Sequence, residues 1–170
     1  MSKNIIFALA LIFLTACSDS STDNTVQQKI KISAILDLSG HYSQFGLESK
    51  QALELMKQSN NNLEITFYDS KGLNNTADSI LNYIISKGEQ TNIVTLASWI
   101  SNGLATQIAQ NNLLQIPIGS AAFSYSNLQS SIKMTEGIED ESNLLINKLN
   151  EYNRISIMYF NNDYGISWNS

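Results

Sequence analysis

Apolar and polar positions divide the chain into an unusual opening and a body of alternating segments. Ile5 to Leu14 is an uninterrupted apolar run, and Ser18 to Gln28, rich in Ser, Asp, Thr, Asn and Gln, has almost no apolar content. From Ile30 the pattern turns regular. Ile30, Ile32, Ala34, Ile35, Leu36 and Leu38 predict a buried strand closed by a turn at Ser39 and Gly40. Leu47, Ala52, Leu53, Leu55 and Met56 then predict a helix over Gly46 to Ser59, ended by Asn60, Asn61 and Asn62. Leu63 to Tyr68 reads as a second strand. Ala77, Ile80, Leu81, Ile84 and Ile85 recur at helical spacing, which predicts a helix over Asn74 to Lys87 with Gly88 in the C-capping place. Further along, the same reading gives a strand at Asn92 to Ala97, a helix at Ser101 to Gln110 and a strand at Leu113 to Ile118. Pro117 suits an edge or exit position in that last strand. Ile132 to Met134 is read as a short strand, Glu139 to Tyr152 as a helix and Arg154 to Phe160 as a final strand.

Strands alternating with helices of this length predict an α/β fold, a doubly wound parallel sheet. In such sheets ligands sit beyond the carboxyl ends of the strands. The loops that matter are then Asp37 to Gly46, Asp69 to Asn74, Ala97 to Gly103, Gly119 to Asn127 and Asn161 to Gly165.

The opening reads as an export signal. A basic residue, Lys3, precedes an apolar run too short to cross a hydrocarbon core of roughly 30 Å. Leu14, Thr15, Ala16 and Cys17 resemble the lipobox of bacterial lipoproteins, in which the Cys becomes the lipidated first residue. On that reading residues 1–16 are a signal peptide, Cys17 anchors the protein without spanning the membrane, and residues 17–28 are a flexible tether.

Composition narrows the function classes. Ten Lys and Arg against fifteen Asp and Glu leave a net charge of −5, which argues against a nucleic-acid backbone as partner. A single Cys excludes a disulfide framework, and with a single His it excludes a Cys/His zinc site. No Gly-x-Gly-x-x-Gly or Walker pattern follows a strand, and no Ser lies in a Gly-x-Ser-x-Gly elbow, so no nucleotide cofactor and no hydrolase nucleophile is implied. His41 reads as a rim histidine, and Glu136, Glu139, Asp140 and Glu141 as the acidic first turn of a helix.

What the loops offer is binding. Ser101 reads as a helix N-cap whose hydroxyl, together with the amides of Asn102 and Gly103, makes a seat for a carboxylate, although simple capping is the plainer reading. The small residues from Gly119 to Ser124 let backbone groups approach a ligand. Phe45, Phe123 and Tyr164 are placed to wall its apolar part.

Four segments in order resemble the type I periplasmic substrate-binding proteins, in particular the branched-chain amino-acid and amide-binding group of ABC importers. They are Ile30 to Gly40 with Phe45-Gly46, Leu63 to Asp69 with the helix after it, Ile116 to Ser120 with Ser124, and Asn162-Asp163-Tyr164-Gly165. The resemblance implies an N-terminal lobe at 29–153 and, at 154–170, the first strand of a second lobe that is only begun, so the chain is expected to be a truncated version of a two-lobed protein. It also implies that Ser101 and the Gly103 amide hold the ligand carboxylate, that the Phe123 backbone and Ser124 complete the contact, and that Phe45 and Tyr164 flank the ligand. Ala121 stands where the family has Pro, and Ile100 where it has a first ligand-binding Ser. The implied function is that of a non-enzymatic solute-binding lipoprotein, without cofactor or metal. It would face the periplasm or cell exterior and deliver an amino acid or similar small polar ligand to an ABC permease. The alternatives are an interaction lipoprotein on the same fold, such as a cell-wall synthase activator, or a non-functional fragment.

Overall fold

A computed structural model describes residues 29–123, 130–132, 134, 142–143, 145–146, 149, 152, 154, 156, 158 and 161. The described elements are strand β1 (Ile30–Leu36), helix α1 (Ser43–Ser59), strand β2 (Leu63–Asp69), helix α2 (Asn74–Ser86), strand β3 (Asn92–Leu96), helix α3 (Ser98–Gln110) and strand β4 (Gln115–Ile118). All pairings are parallel and the strand order is β2-β1-β3-β4, so the expected α/β parallel sheet is what the chain forms. Pro117 does lie in an edge strand of this four-stranded sheet, opposite Thr95. Outside the sheet proper, Ser131 makes one parallel bridge to Gln115, just before the short strand expected at Ile132 to Met134.

Alternation along the strands sends side chains to two cores. On one face Ile35 and Ile93 pack with Ala77, Leu81 and Ile84 of α2 and with Ile100, Leu104 and Ile108 of α3. These α2 residues are the spacing that predicted the helix, and Gly88 closes it with φ 65° and an amide bond to the Ile85 carbonyl. On the other face Ile32, Ala34, Leu36, Ile65, Val94 and Leu96 form the second core, against which Leu53 of α1 packs. Of the apolar face expected on α1, only Leu53 reaches that core, while Leu47, Leu55 and Met56 stay exposed. The closest approach of α1 to the sheet end is through Gly46, its one fully buried residue.

Two helix starts differ from expectation. α1 begins at Ser43, three residues before Gly46, and α3 begins at Ser98, three residues before Ser101. Both shifts come from the loops at the carboxyl ends of β1 and β3. Among the described residues no helix is long and apolar enough to cross a membrane. The expected signal peptide, Cys17, the tether, the turn at Asn162 to Gly165 and Ser124 lie outside the described residues, as do most positions of the helix at Glu139 to Tyr152 and of the strand at Arg154 to Phe160.

Candidate functional site

The strand order turns back on itself between β1 and β3. The chain leaves β1 for α1 and β3 for α3, whose helices pack on opposite faces of the sheet, so a crevice opens between the two loops. A cleft of about 550 Å³ lies there, lined by His41, Tyr42, Phe45, Glu48, Ser49, Leu96, Ala97, Ser98, Trp99 and Gly119. Two smaller hollows of about 330 Å³ lie toward the amino ends of the strands, among groups that include the Lys31–Glu89 ion pair.

The first wall is held by two aspartates. Asp37 is buried, and its carboxylate accepts the amides of Gly40 at 2.6 Å and Tyr42 at 2.9 Å, folding the loop so that α1 can start at Ser43. Gly40 and Gly46 must be glycine for lack of room: a Cβ on Gly40 would stand 2.2 Å from the Lys71 carbonyl oxygen. Asp69, at the end of β2, accepts the Leu38 amide at 2.9 Å, the Ser39 hydroxyl at 2.6 Å and the Lys71 amide at 2.9 Å. Partial burial opposes the charge on Asp69, but the bonds from Ser39, Leu38 and Lys71 outweigh it and hold its carboxyl below the usual range.

The second wall is a sharp entry into a helix. Ala97 takes φ 73° and ψ 147°, a region that residues other than glycine rarely adopt, and turns the chain from β3 directly into α3. Its amide bonds the Ile118 carbonyl at 3.2 Å, and its carbonyl accepts the Ser101 amide at 3.0 Å. No side chain caps this helix. The amides of Ser98, Trp99 and Ile100, in its first turn, have no acceptor within the helix. Ser98 accepts the Ala122 amide at 3.2 Å, and Asn102 donates to the Ala122 carbonyl at 3.1 Å, so the loop after β4 is tied to the start of α3.

Behind this wall runs a buried chain of hydrogen bonds. Ser120 donates to the Ile118 carbonyl at 2.9 Å, so its single proton is committed. The 2.9 Å contact to Ser101 is then donated by Ser101, and the 2.9 Å contact between Thr95 and Ser101 by Thr95. Gln115 starts the chain, giving one amide hydrogen to Thr95 at 3.2 Å and the other to the Ser101 carbonyl at 2.9 Å. Its Oε1 has no partner among the described residues.

This arrangement places the expected site residues differently. Phe45 lines the cleft and is 58% exposed. Ser101 is not the N-cap of α3. It is fully buried one turn inside, with its hydroxyl engaged by Thr95 and Ser120, because the backbone reversal at Ala97 starts the helix earlier than a Ser-based cap would. Gly103 lies further along α3, where a side chain would begin 3.5 Å from the Asn74 Oδ1 and where a regular helix bonds each amide to the carbonyl four residues back. Phe123 is buried, and its amide is closed onto the Ser120 carbonyl at 3.0 Å. Ser124 and Tyr164 lie outside the described residues. The first turn of α3, whose amides were expected at Ser101 to Gly103, is formed instead by Ser98 to Ile100.

Sequence reasoning missed Tyr42 and Trp99. Tyr42 lies between His41, edge-on at 4.8 Å between ring centroids, and Trp99, tilted at 5.1 Å. The signal for Trp99 was its place, just after an apolar strand in a loop facing the site. Among the described residues no three His, Cys, Asp or Glu side chains gather as a metal site.

No family model and no curated protein matches the sequence. Solved structures do. The chain is similar to an extracellular ligand binding receptor from Desulfohalobium retbaense, with 26% identity and a TM-score of 0.75 over 82% of this chain and 26% of that one. It is also similar in fold to a fatty acid ABC transporter substrate-binding protein from Thermomonospora curvata, with 20% identity and a TM-score of 0.68 over 83% of this chain and 39% of that one. A third likeness is to the branched-chain amino acid transporter substrate binding protein LivJ from Streptococcus pneumoniae in complex with isoleucine, with 15% identity and a TM-score of 0.58 over 72% of this chain and 39% of that one. The chain spans between about a quarter and two fifths of the length of these structures.

Proposed function

We propose that this chain, whose α/β lobe is that of a type I periplasmic binding protein, is the ligand-binding lobe of an extracytoplasmic solute-binding protein that serves an ABC importer. The solute is an amino acid or a similar small polar molecule, and the lobe binds it without chemical change. The observation that carries this reading is the cleft at the switch point between β1 and β3, which combines apolar walls with the uncapped first turn of α3. The solute carboxylate would sit on the amides of Ser98 to Ile100, where the positive end of the helix dipole favours an anion. Phe45 flanks the solute, and Ser101, Gly103 and Phe123 support the wall from behind. Ser124 and Tyr164 are assigned to the contact by family resemblance. Cys17 is the proposed lipid anchor, holding the lobe outside the cytoplasmic membrane where it can meet a permease.

The test is a thermal-shift screen of the chain with amino acids, amides and urea. A solute present at a hundred times its dissociation constant should add about 2.7 kcal/mol of stability. Stabilisation by a member of the panel supports transport binding, and a flat response across it overturns the proposal. Radiolabelled palmitate incorporated by the parent chain and lost in Cys17→Ser tests the anchor separately.

A further inference from the structure

We infer that the solute taken by this cleft carries an aromatic ring beside its carboxylate, and that Trp99 selects it. This rests on the solute-binding reading and adds the class of solute. The cleft presents aromatic surface on both sides. His41, Tyr42 and Trp99 follow one another with ring centroids 4.8 and 5.1 Å apart, and Phe45 stands on the first turn of α1 with 58% of its surface exposed.

Trp99 has one polar group, and it is already engaged: Nε1 donates to the Gly72 carbonyl at 3.1 Å. That bond orients the indole, part of whose ring packs against the core and Tyr42, and the remaining ring surface lines the cleft. An aromatic partner gains offset or edge-on contacts with such rings beyond the area it covers, whereas an aliphatic partner gains area alone. The same residue contributes one of the free amides of α3, so the carboxylate seat and the ring wall begin on a single turn. A solute with the two groups a short spacer apart, as in an aromatic amino acid, reaches both.

Charge points the same way. Among the described residues lining the cleft, Glu48 is the one acidic side chain and none is Lys or Arg. A second negative group on the solute would have no cation to meet, while a neutral ring meets no penalty.

Calorimetric titration of the full chain with L-phenylalanine, L-leucine and acetamide tests this, with Trp99 emission followed in a Trp168→Phe background. L-Phenylalanine should bind at least tenfold more tightly than L-leucine and alter the Trp99 emission. Trp99→Leu should bring the two affinities within about twofold, and Phe45→Ala, at an exposed position, should weaken L-phenylalanine severalfold without unfolding the lobe. If L-leucine binds as well as L-phenylalanine, or both variants keep the preference, the aromatic assignment falls and the solute-binding reading stands. If none of the three probes binds, the aromatic assignment falls, and the wider thermal-shift panel decides the solute-binding reading.

Discussion

The carbonyl oxygen of Asp37 occupies the space where a side chain on Gly46 would begin: a Cβ added there would stand 1.7 Å from it. This contact joins the start of the first loop to the first helix and fixes the wall that carries Tyr42 and Phe45. Gly46 has ordinary helical geometry, so the requirement is room and not backbone freedom. Gly46→Ala must push α1 away from the loop. Overpacking of this kind costs about 1–3 kcal/mol, and an atom meeting backbone, which yields less than a side chain, belongs at the upper end. Urea unfolding should show that loss. A variant as stable as the parent would mean that α1 does not approach the loop this closely.

Ala97 invites the opposite substitution. Its φ of 73° with ψ of 147° is strained for any residue with a Cβ, at a cost of about 1–3 kcal/mol, while glycine adopts it freely. Glycine adds flexibility to the unfolded chain, which returns part of the gain. Ala97→Gly is therefore expected to raise stability by about 1 kcal/mol, read from the midpoint of urea unfolding. A lower midpoint would show that the entry into α3 relaxes to an ordinary cap in solution.

Asp69 should make stability depend on pH. Partial burial raises its folded pKa, but the bonds from Ser39, Leu38 and Lys71 to the charged form together outweigh that and hold it below the ordinary carboxylate value. A group with a depressed folded pKa contributes stability that is present above its unfolded pKa, about 3.9, and is lost as pH falls through the folded value. Asp69→Asn should therefore be less stable than the parent at pH 7, and the gap should narrow below about pH 4. A gap independent of pH would assign the effect to the hydrogen-bond geometry alone.

The parts of the fold legible in sequence were those written as a period. Ala77, Leu81 and Ile84 announce α2, and the strand–helix alternation announces the parallel sheet and hence the loops that could hold a ligand. The starts of α1 and α3 were not legible, because each depends on a side-chain-to-backbone bond within its loop or on an unusual backbone angle. Asp37 folds back on Gly40 and Tyr42, and Ala97 reverses the chain so early that Ser98, Trp99 and Ile100, read as loop, are the first turn of a helix. That shift of one turn places Ser101 inside the helix, buried, and not at its N-cap. Trp99 was missed for the same reason, since the side of the loop it faces depends on where the helix starts.

Ser101 carries the last prediction, which separates a wall residue from a contact residue. Its hydroxyl is the middle link between Thr95 and Ser120, all three fully buried. In Ser101→Ala the Thr95 proton loses its acceptor and the Ser120 oxygen its donor, and leaving such groups unpaired costs about 1–3 kcal/mol each. Alanine returns a few tenths of a kcal/mol through its higher helix propensity. A net loss of about 1–2 kcal/mol is expected in urea unfolding, since the two hydroxyls can partly reorient. Thr95→Val in the same background should then cost less than Thr95→Val in the parent, because the bond it removes is already gone. That shortfall is the coupling a double-mutant cycle measures. If instead the two substitutions add, the hydroxyl chain does not form, and Ser101 is free to turn toward the cleft as a direct ligand to the solute carboxylate.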